Sequence, residues 1–235
     1  MRLDRFLQNS GVCSRKEAKK IISTGKIMVN GEICLNFELK IDENKDEICM
    51  SGNRIVYEKY IYIVMNKPEG FVCATEDRRD RTVLELLPDN LRRLELFPVG
   101  RLDKDTTGLL ILTNDGAFAH EMLSPKKKVM KTYLAVVDGP LDERDTDAFA
   151  SGISIGDYTC LPAELEILEP SAPGKSLVSI CEGKFHQVKR MFKALDKNVL
   201  SLERISFGSL KLDGKLSRGE YRPLEKFELE MLRLK

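Results

Sequence analysis

Gly100-Arg101-Leu102-Asp103-Lys104-Asp105-Thr106-Thr107-Gly108-Leu109-Leu110-Ile111-Leu112-Thr113-Asn114-Asp115-Gly116 changes character twice. It begins as a glycine-bounded loop with carboxylates and cations interleaved. Leu109 to Leu112 is then an unbroken apolar run of strand length, the pattern of a strand covered on both faces. Asn114-Asp115-Gly116 ends the run as a turn and leads into a helix holding Phe118, Met122 and Leu123. A charged loop feeding a buried strand and then a helix predicts a layered domain in which helices cover a sheet.

Outward from this segment, strands are expected near residues 60–66, 108–113, 130–137, 176–182 and 198–207, and helices near 116–123, 142–151 and 187–195. The pattern predicts an α+β fold. A small N-terminal α+β module, residues 1–57, precedes a larger α+β catalytic domain, residues 58–235, on a mixed and mainly antiparallel sheet. Lys67-Pro68-Glu69-Gly70 reads as the turn ending the first strand of that domain, and Pro170 to Gly174 as an exposed turn.

The 235 residues are 42% hydrophobic and 32% charged, the balance of a folded chain. No apolar run approaches the roughly 20 residues of a membrane-spanning helix, so no membrane partner is expected. Asp4 and Gln8 interrupt the N-terminus where an export signal needs a continuous apolar core, which predicts a cytoplasmic protein. Its six cysteines are scattered without a C-x-x-C pair, and are expected to be reduced. With His120 and His186 the only histidines, no metal site is expected.

Lys and Arg total 38 against 37 for Asp and Glu, a net charge of +1. That near-neutrality excludes a uniformly basic nucleic-acid binder, but the charge is unevenly spread. Residues 1–26 carry Arg2, Arg5, Arg15, Lys16, Lys19, Lys20 and Lys26 against only Asp4 and Glu17, whereas residues 27–59 carry more acids than bases. Leu3, Phe6 and Leu7 keep helical spacing. Ser14 and Glu17 form a capping-box pattern before a second helix, Arg15 to Thr24, expected to bury Ala18, Ile21 and Ile22. Ile27 to Val29 and the turn Asn30-Gly31 then predict a hairpin. Asp42 to Glu58 suits a linker or the module's last strand.

This N-terminal stretch resembles the alpha-L RNA-binding module shared by a ribosomal small-subunit protein, tyrosyl-tRNA synthetases and several RNA-modifying enzymes. The resemblance covers roughly residues 1–50. It is carried by Arg2-Leu3-Asp4-Arg5-Phe6-Leu7, Gly11, Ser14-Arg15, Glu17-Ala18, Gly25-Lys26 and Val29-Asn30-Gly31. It implies that Arg2, Arg5, Arg15, Lys16, Lys19, Lys20 and Lys26 bind RNA, chiefly through phosphates.

Read locally, Asp103 lies between Arg101 and Lys104, cations expected to favour its anionic form. That suits a nucleophile or a base, and equally a turn aspartate in a surface ion pair. Gly100 to Leu110 resembles the signature of pseudouridine synthases, in the branch called RsuA that modifies small-subunit ribosomal RNA. Two further motifs follow in the family's order: Lys131-Thr132-Tyr133-Leu134, and Lys184-Phe185-His186-Gln187-Val188-Lys189-Arg190.

The resemblance implies that Asp103 is the catalytic residue, that Tyr133 contacts the target base, and that Lys189 pairs with Asp103. Arg101 and Leu202 are expected to contact the substrate, the latter from the family's last strand. Asp105 is assigned a structural role, and Thr106 and Thr107 are expected to brace the loop through side-chain to backbone hydrogen bonds. A lysine at 189 after His186, where large-subunit relatives read N-R-Q-V-R-R, favours small-subunit (16S) rRNA as the substrate. The implied reaction isomerises one specific uridine to pseudouridine. It needs no cofactor, in keeping with the lack of a dinucleotide fingerprint or phosphate-binding loop. The partner is ribosomal RNA or its assembly intermediate, and the protein is expected to be a monomer.

Three alternatives remain at this point. One is a synthase for large-subunit (23S) rRNA, and another is a non-catalytic rRNA-binding assembly factor. The third is a sugar hydrolase using Asp103 and Asp105, disfavoured because acids two residues apart on a loop do not straddle a glycosidic bond. Basic residues at Lys126, Lys127, Lys128, Lys131, Lys184, Lys189, Arg190 and Lys193 are expected near the cleft, the first three being equally compatible with a solvated run.

Overall fold

A computed structural model describes residues 1–234. They form two compact units, Met1–Ile61 joined by Leu84–Phe97, and Tyr62–Val83 joined by the chain from Pro98 onward.

The first unit opens with α1 (Leu3–Asn9) and α2 (Arg15–Ser23). A small antiparallel sheet follows, of β1 (Ile27–Val29), β2 (Glu32–Ile33), β3 (Ile48–Met50) and β4 (Asn53–Arg54), in the order β2-β1-β3-β4. Ser14 and Glu17 cap α2 reciprocally: the Glu17 amide donates to Ser14 Oγ at 3.3 Å, and the Ser14 amide to Glu17 Oε2 at 2.8 Å. Asn30-Gly31 closes the hairpin, pairing Val29 with Glu32. Leu3, Phe6, Leu7, Ala18, Ile22, Ile27, Ile41 and Ile48 fill one core. Ile21, expected inside, is only half-buried at its edge.

Leu84–Phe97, with α3 (Asp89–Arg92), returns to this unit from far along the chain. The Asn90 carbonyl sits where a Cβ on Gly11 would be, only 2.5 Å from it, and Gly11 has φ +71°. Only glycine satisfies both demands. Arg93 Nη1 also donates to the Val12 carbonyl at 3.2 Å.

The remaining elements are β5 (Tyr62–Lys67), β6 (Phe97–Pro98), β7 (Thr107–Thr113), α4 (Gly116–Leu123), β8 (Lys131–Val137), α5 (Glu143–Ser151), β9 (Glu164–Glu169), β10 (Gly174–Ile180), α6 (Gln187–Lys193), β11 (Val199–Phe207), β12 (Leu210–Lys211), β13 (Tyr221–Pro223) and α7 (Lys226–Arg233). The large sheet runs β13-β5-β7-β11-β8-β10-β9, with β12 paired to β11. Only β7 and β11 are parallel among the strands of this path, so the sheet is mixed and mainly antiparallel, as expected. Helix α5 packs on β9 and α6 on β11.

β7 is buried from Gly108 to Thr113 because β5 and β11 flank it, which explains its unbroken apolar run. β8 alternates strictly, burying Lys131, Tyr133, Ala135 and Val137. Besides α3 and β6, four elements had no sequence signal. β9 is largely exposed and rich in glutamate, β12 and β13 are very short, and α7 follows them. Gly174, expected in an exposed turn, is buried and opens β10, while Pro170 to Ala172 remain exposed.

Gly108 fixes how closely the parallel pair approaches. It stands opposite Arg204 with φ +100°, and a Cβ there would lie 2.3 Å from the Arg204 carbonyl. The loop bearing Asp103 is thereby held at the end of β7, against β11.

Candidate active site

A cleft of about 600 Å³ opens over this part of the second unit. Arg101, Asp103, Tyr133 and Leu202, drawn from one loop and two strands, all line it. That volume suits a single nucleotide. Tyr133 and Leu202 are 8% and 6% exposed, while Arg101 is open to solvent. Strand alternation turns Tyr133 and Lys131 to the same face as Leu202 and Arg204 across β8 and β11.

Lys189, on the first turn of α6, reaches back to this loop. Its Nζ lies 3.1 Å from Asp103 Oδ2 and also pairs with Asp105 Oδ1. Burial pulls the Lys189 ammonium down, but its bonds to the two carboxylates outweigh this and raise its pKa overall. For Asp105, burial pushes the carboxyl up, and the bond and charge of Lys189 outweigh that, leaving it below its usual range. Asp105 thus shares the cation that holds Asp103.

His186, which the sequence supplied only as a marker of substrate class, is the second base facing the carboxylate. Its Nε2 lies 3.6 Å from Asp103 Oδ1, its backbone is left-handed at φ +51°, and its ring stacks on Phe185 at 3.8 Å between centroids. Phe185 itself is 69% exposed at the cleft mouth.

Three local expectations need correction. Lys104 ion-pairs with Asp80, and no ion pair joins Arg101 to Asp103 among the described residues. The cations in contact with Asp103 come from the start of α6, far along the chain. The hydroxyl of Thr106 has no hydrogen-bond partner and so does not brace the loop, whereas that of Thr107 makes the expected side-chain to backbone bond, to the Leu202 carbonyl at 3.4 Å. Of the basic cluster, Arg190 bonds the Ile155 carbonyl, Lys127 pairs with Glu121 and Lys193 bonds Asn198, away from the cleft lining.

The bracing comes from Lys67, read from sequence only as part of a turn. It is fully buried at the end of β5, and its ammonium donates to the carbonyls of Thr106 at 2.8 Å, Asp103 at 3.0 Å, Pro68 at 3.1 Å and Lys104 at 3.3 Å. Burial lowers its pKa, partly offset by nearby acids including Asp105 and Asp103. Asp103 is thus fixed from both ends, its main chain by Lys67 and its carboxylate by Lys189. A lysine ending an apolar strand was the only available signal.

The first unit carries the N-terminal cations on its surface. Arg5, Arg15, Lys16, Lys19, Lys20 and Lys26 are exposed. Arg2 and Arg15 both pair with Asp4, a fully buried carboxylate, at 3.1 and 3.2 Å. Burial alone would raise the Asp4 pKa, but bonds from the two arginines bring it below its usual range. Lys19 lies over the Phe37 ring at 4.9 Å.

Among the described residues no group of His, Cys, Asp and Glu is placed to hold a metal ion, and no helix is long and apolar enough to cross a membrane.

A carboxylate paired with a lysine thus stands beside a base-sized cleft on this mixed sheet, and the chain matches the family of RNA pseudouridylate synthases. That family matches residues 61–194, the S4 RNA-binding domain matches residues 1–44, and the chain belongs to the RNA pseudouridylate synthase family. It is 43% identical over 235 residues to the RNA pseudouridine synthase YtzG of Bacillus subtilis, covering 99% of this chain and 98% of that one. It is 37% identical to ribosomal small subunit pseudouridine synthase A of Escherichia coli, covering 97% and 98%. A crystal structure of a pseudouridylate synthase, 38% identical, matches with a TM-score of 0.69 over 99% of both chains.

Proposed function

We propose that this protein converts one specific uridine of small-subunit ribosomal RNA to pseudouridine, with Asp103 as its catalytic carboxylate. The observation that carries the assignment is the Lys189–Asp103 pair at 3.1 Å on the wall of the cleft that Tyr133 and Leu202 also line. The full-length similarity to the Escherichia coli small-subunit enzyme supports the substrate class.

The target nucleotide is flipped into the cleft, since a stacked base cannot reach a carboxylate on the cleft wall. The N1–C1′ bond breaks, the uracil turns, C5 bonds C1′, and the C5 proton leaves. Asp103 either attacks C1′ or removes a sugar proton, and Lys189 pairs with it and orients it. Tyr133 clamps the base, Leu202 packs against it, and Arg101 meets the adjoining backbone. Residues 1–57 form the binding module and residues 58–235 the catalytic domain, which acts as a monomer in the cytoplasm. Arg5, Lys16, Lys19, Lys20 and Lys26 contact phosphates, together with Arg2 and Arg15 in the orientation Asp4 imposes.

Incubating the protein with small-subunit rRNA or its assembly particles and mapping pseudouridine tests the reading. A single new site in small-subunit rRNA is expected. Modification confined to large-subunit rRNA would overturn the substrate class, and none on either would return the protein to a docking factor.

A further inference from the structure

Two cations are buried in the cleft wall without a counter-ion. Arg204 is 2% exposed and Lys131 is 9% exposed, and neither forms an ion pair among the described residues. Arg204 Nε donates to the Leu109 carbonyl at 2.8 Å, but its Nη2 has no acceptor. Both cations flank one ring, with the Arg204 guanidinium carbon 5.3 Å and Lys131 Nζ 5.6 Å from the Phe207 centroid. The Thr106 hydroxyl, 1% exposed, is a third orphan on the same wall.

Burying like charges side by side is costly unless an anion joins them. The obvious carboxylate, Glu182, is committed elsewhere: it accepts from Tyr158 Oη at 2.6 Å, the Leu161 amide at 3.0 Å and Gln187 Nε2 at 2.7 Å. Burial and the charge of Arg204 depress the Lys131 pKa, only partly offset by nearby Cys181 and Glu182. Strand register then says what meets the pair. Arg204 stands directly opposite Tyr133 across β8 and β11, and Phe207 opposite Lys131. Side chains opposite each other share a face, so the cations adjoin the ring that clamps the base.

We infer that Arg204 and Lys131 form a subsite for the departing base, receiving a uracil carbonyl oxygen and stabilising the charge that accumulates on it. This rests on the assignment of the cleft to the target uridine. When N1–C1′ breaks, the bonding electron pair leaves with the uracil, which becomes an anion delocalised over its ring nitrogens and carbonyl oxygens. C1′ is taken up by the Asp103 carboxylate or balanced by loss of a sugar proton. The charge is discharged when C5 bonds C1′ and the C5 proton departs. Fixed cations placed where charge develops favour that state over the neutral nucleoside. Deep burial fits a base better than a phosphodiester, which stays near solvent.

The test compares binding of 5-nitrouracil, which ionises near neutral pH, with uracil, which stays neutral there and reports any titration of the protein itself. In the full-length protein, 5-nitrouracil is expected to bind at least about tenfold tighter on ionisation, beyond any change for uracil. Arg204→Gln and Lys131→Gln should each remove most of that gain, read as the change with ionisation in the ratio of 5-nitrouracil to uracil affinity. Arg204→Lys, which keeps the charge, should restore part of it, which separates the charge from a packing role if Arg204→Gln folds poorly by circular dichroism. No gain in the wild type, or a gain undiminished in the folded variants, would overturn the inference. Pseudouridine formation on rRNA by the same wild-type preparation keeps the two readings apart. An active enzyme without an ionisation gain sinks only the subsite, whereas an inactive one removes the functional assignment and the subsite with it.

Discussion

The Lys67 ammonium lies 3.0 Å from the main-chain carbonyl of Asp103, inside a ring of four carbonyls at the end of β5. A buried cation therefore helps set the path of the loop that presents Asp103, the proposed catalytic carboxylate. Lys67→Met keeps the length and apolar stem but withdraws the cation, so that the Asp103 and Lys104 carbonyls keep only the amides of Thr106 and Gly70 as donors. The expected cost is about 3 kcal/mol in urea unfolding, since each stranded acceptor forfeits part of its bond. Single-turnover pseudouridine formation should fall by about a hundredfold through displacement of Asp103. Unchanged stability and rate would show that the ring is dispensable.

Asp103→Asn retains shape and removes the charge that Lys189 holds at 3.1 Å. Turnover should drop by about a thousandfold or more, with rRNA affinity within a few-fold of wild type in filter binding. Lys189→Ala should slow the reaction while leaving the melting transition nearly in place, because the pair is partly exposed and contributes little to stability. A collapsed melting transition for Lys189→Ala would make the residue structural.

Asp105 and Lys189 set opposite pH limits. Asp105 has a folded pKa below its unfolded value, so its contribution is present above that unfolded value and lost as pH falls through the folded one. Lys189 has a raised folded pKa, so its contribution is complete below the unfolded value and lost as pH rises through the folded one. Wild-type stability minus that of Asp105→Asn should therefore be flat near neutrality and decline at both extremes. Its plateau should be about 1 kcal/mol or less after solvent screening. A difference that changes between pH 6 and 8 would overturn this assignment of the two limits to Asp105 and Lys189.

In the first unit, Asp4→Asn should cost about 2 kcal/mol, the worth of a charge-assisted bond from arginine inside a core. Asp4 has a lowered pKa, so wild-type stability from this source is present above the usual aspartate value and fades as pH falls through the folded one. Urea midpoints across acid pH, wild type against variant, should converge as that happens.

For RNA docking, replacing Lys16, Lys19 and Lys20 together with alanine should weaken rRNA binding and flatten its salt dependence. The slope of log K against log salt falls by about 0.7–0.9 for each phosphate that is no longer neutralised. Weaker binding with an unaltered slope would mean that these lysines do not neutralise phosphates.

Periodicity and punctuation made much of this molecule legible in the chain itself. The apolar run 109–112 and the cap at Asp115 located β7 and α4, strict alternation located β8, and the Ser14–Glu17 pair and Asn30-Gly31 located the N-terminal helix and hairpin. Motifs singled out Asp103, Tyr133, Lys189, Arg101 and Leu202, and folding brings these residues together at or beside one cleft. Hidden elements were those whose stability is not local. β9 and β13 are edge strands, exposed or short, and owe their form to a neighbour's hydrogen bonds. Leu84–Phe97 joins the first unit only because Gly11 lets its backbone approach.

What the sequence determined by itself is therefore the set of elements with their own periodic or capping signal, and the candidate carboxylate marked by its motif. Tertiary structure alone decided which charges surround that carboxylate. Adjacent Lys104 turns away to Asp80, while Lys189 and His186 arrive from α6 and its N-cap and Lys67 from β5. It also buried Arg204 and Lys131 together on one ring. The reason is physical: periodicity reports which face of an element is covered, whereas electrostatic partners are set by distances through space. Those distances exist only once the sheet order and the Gly108 approach have placed remote strands side by side.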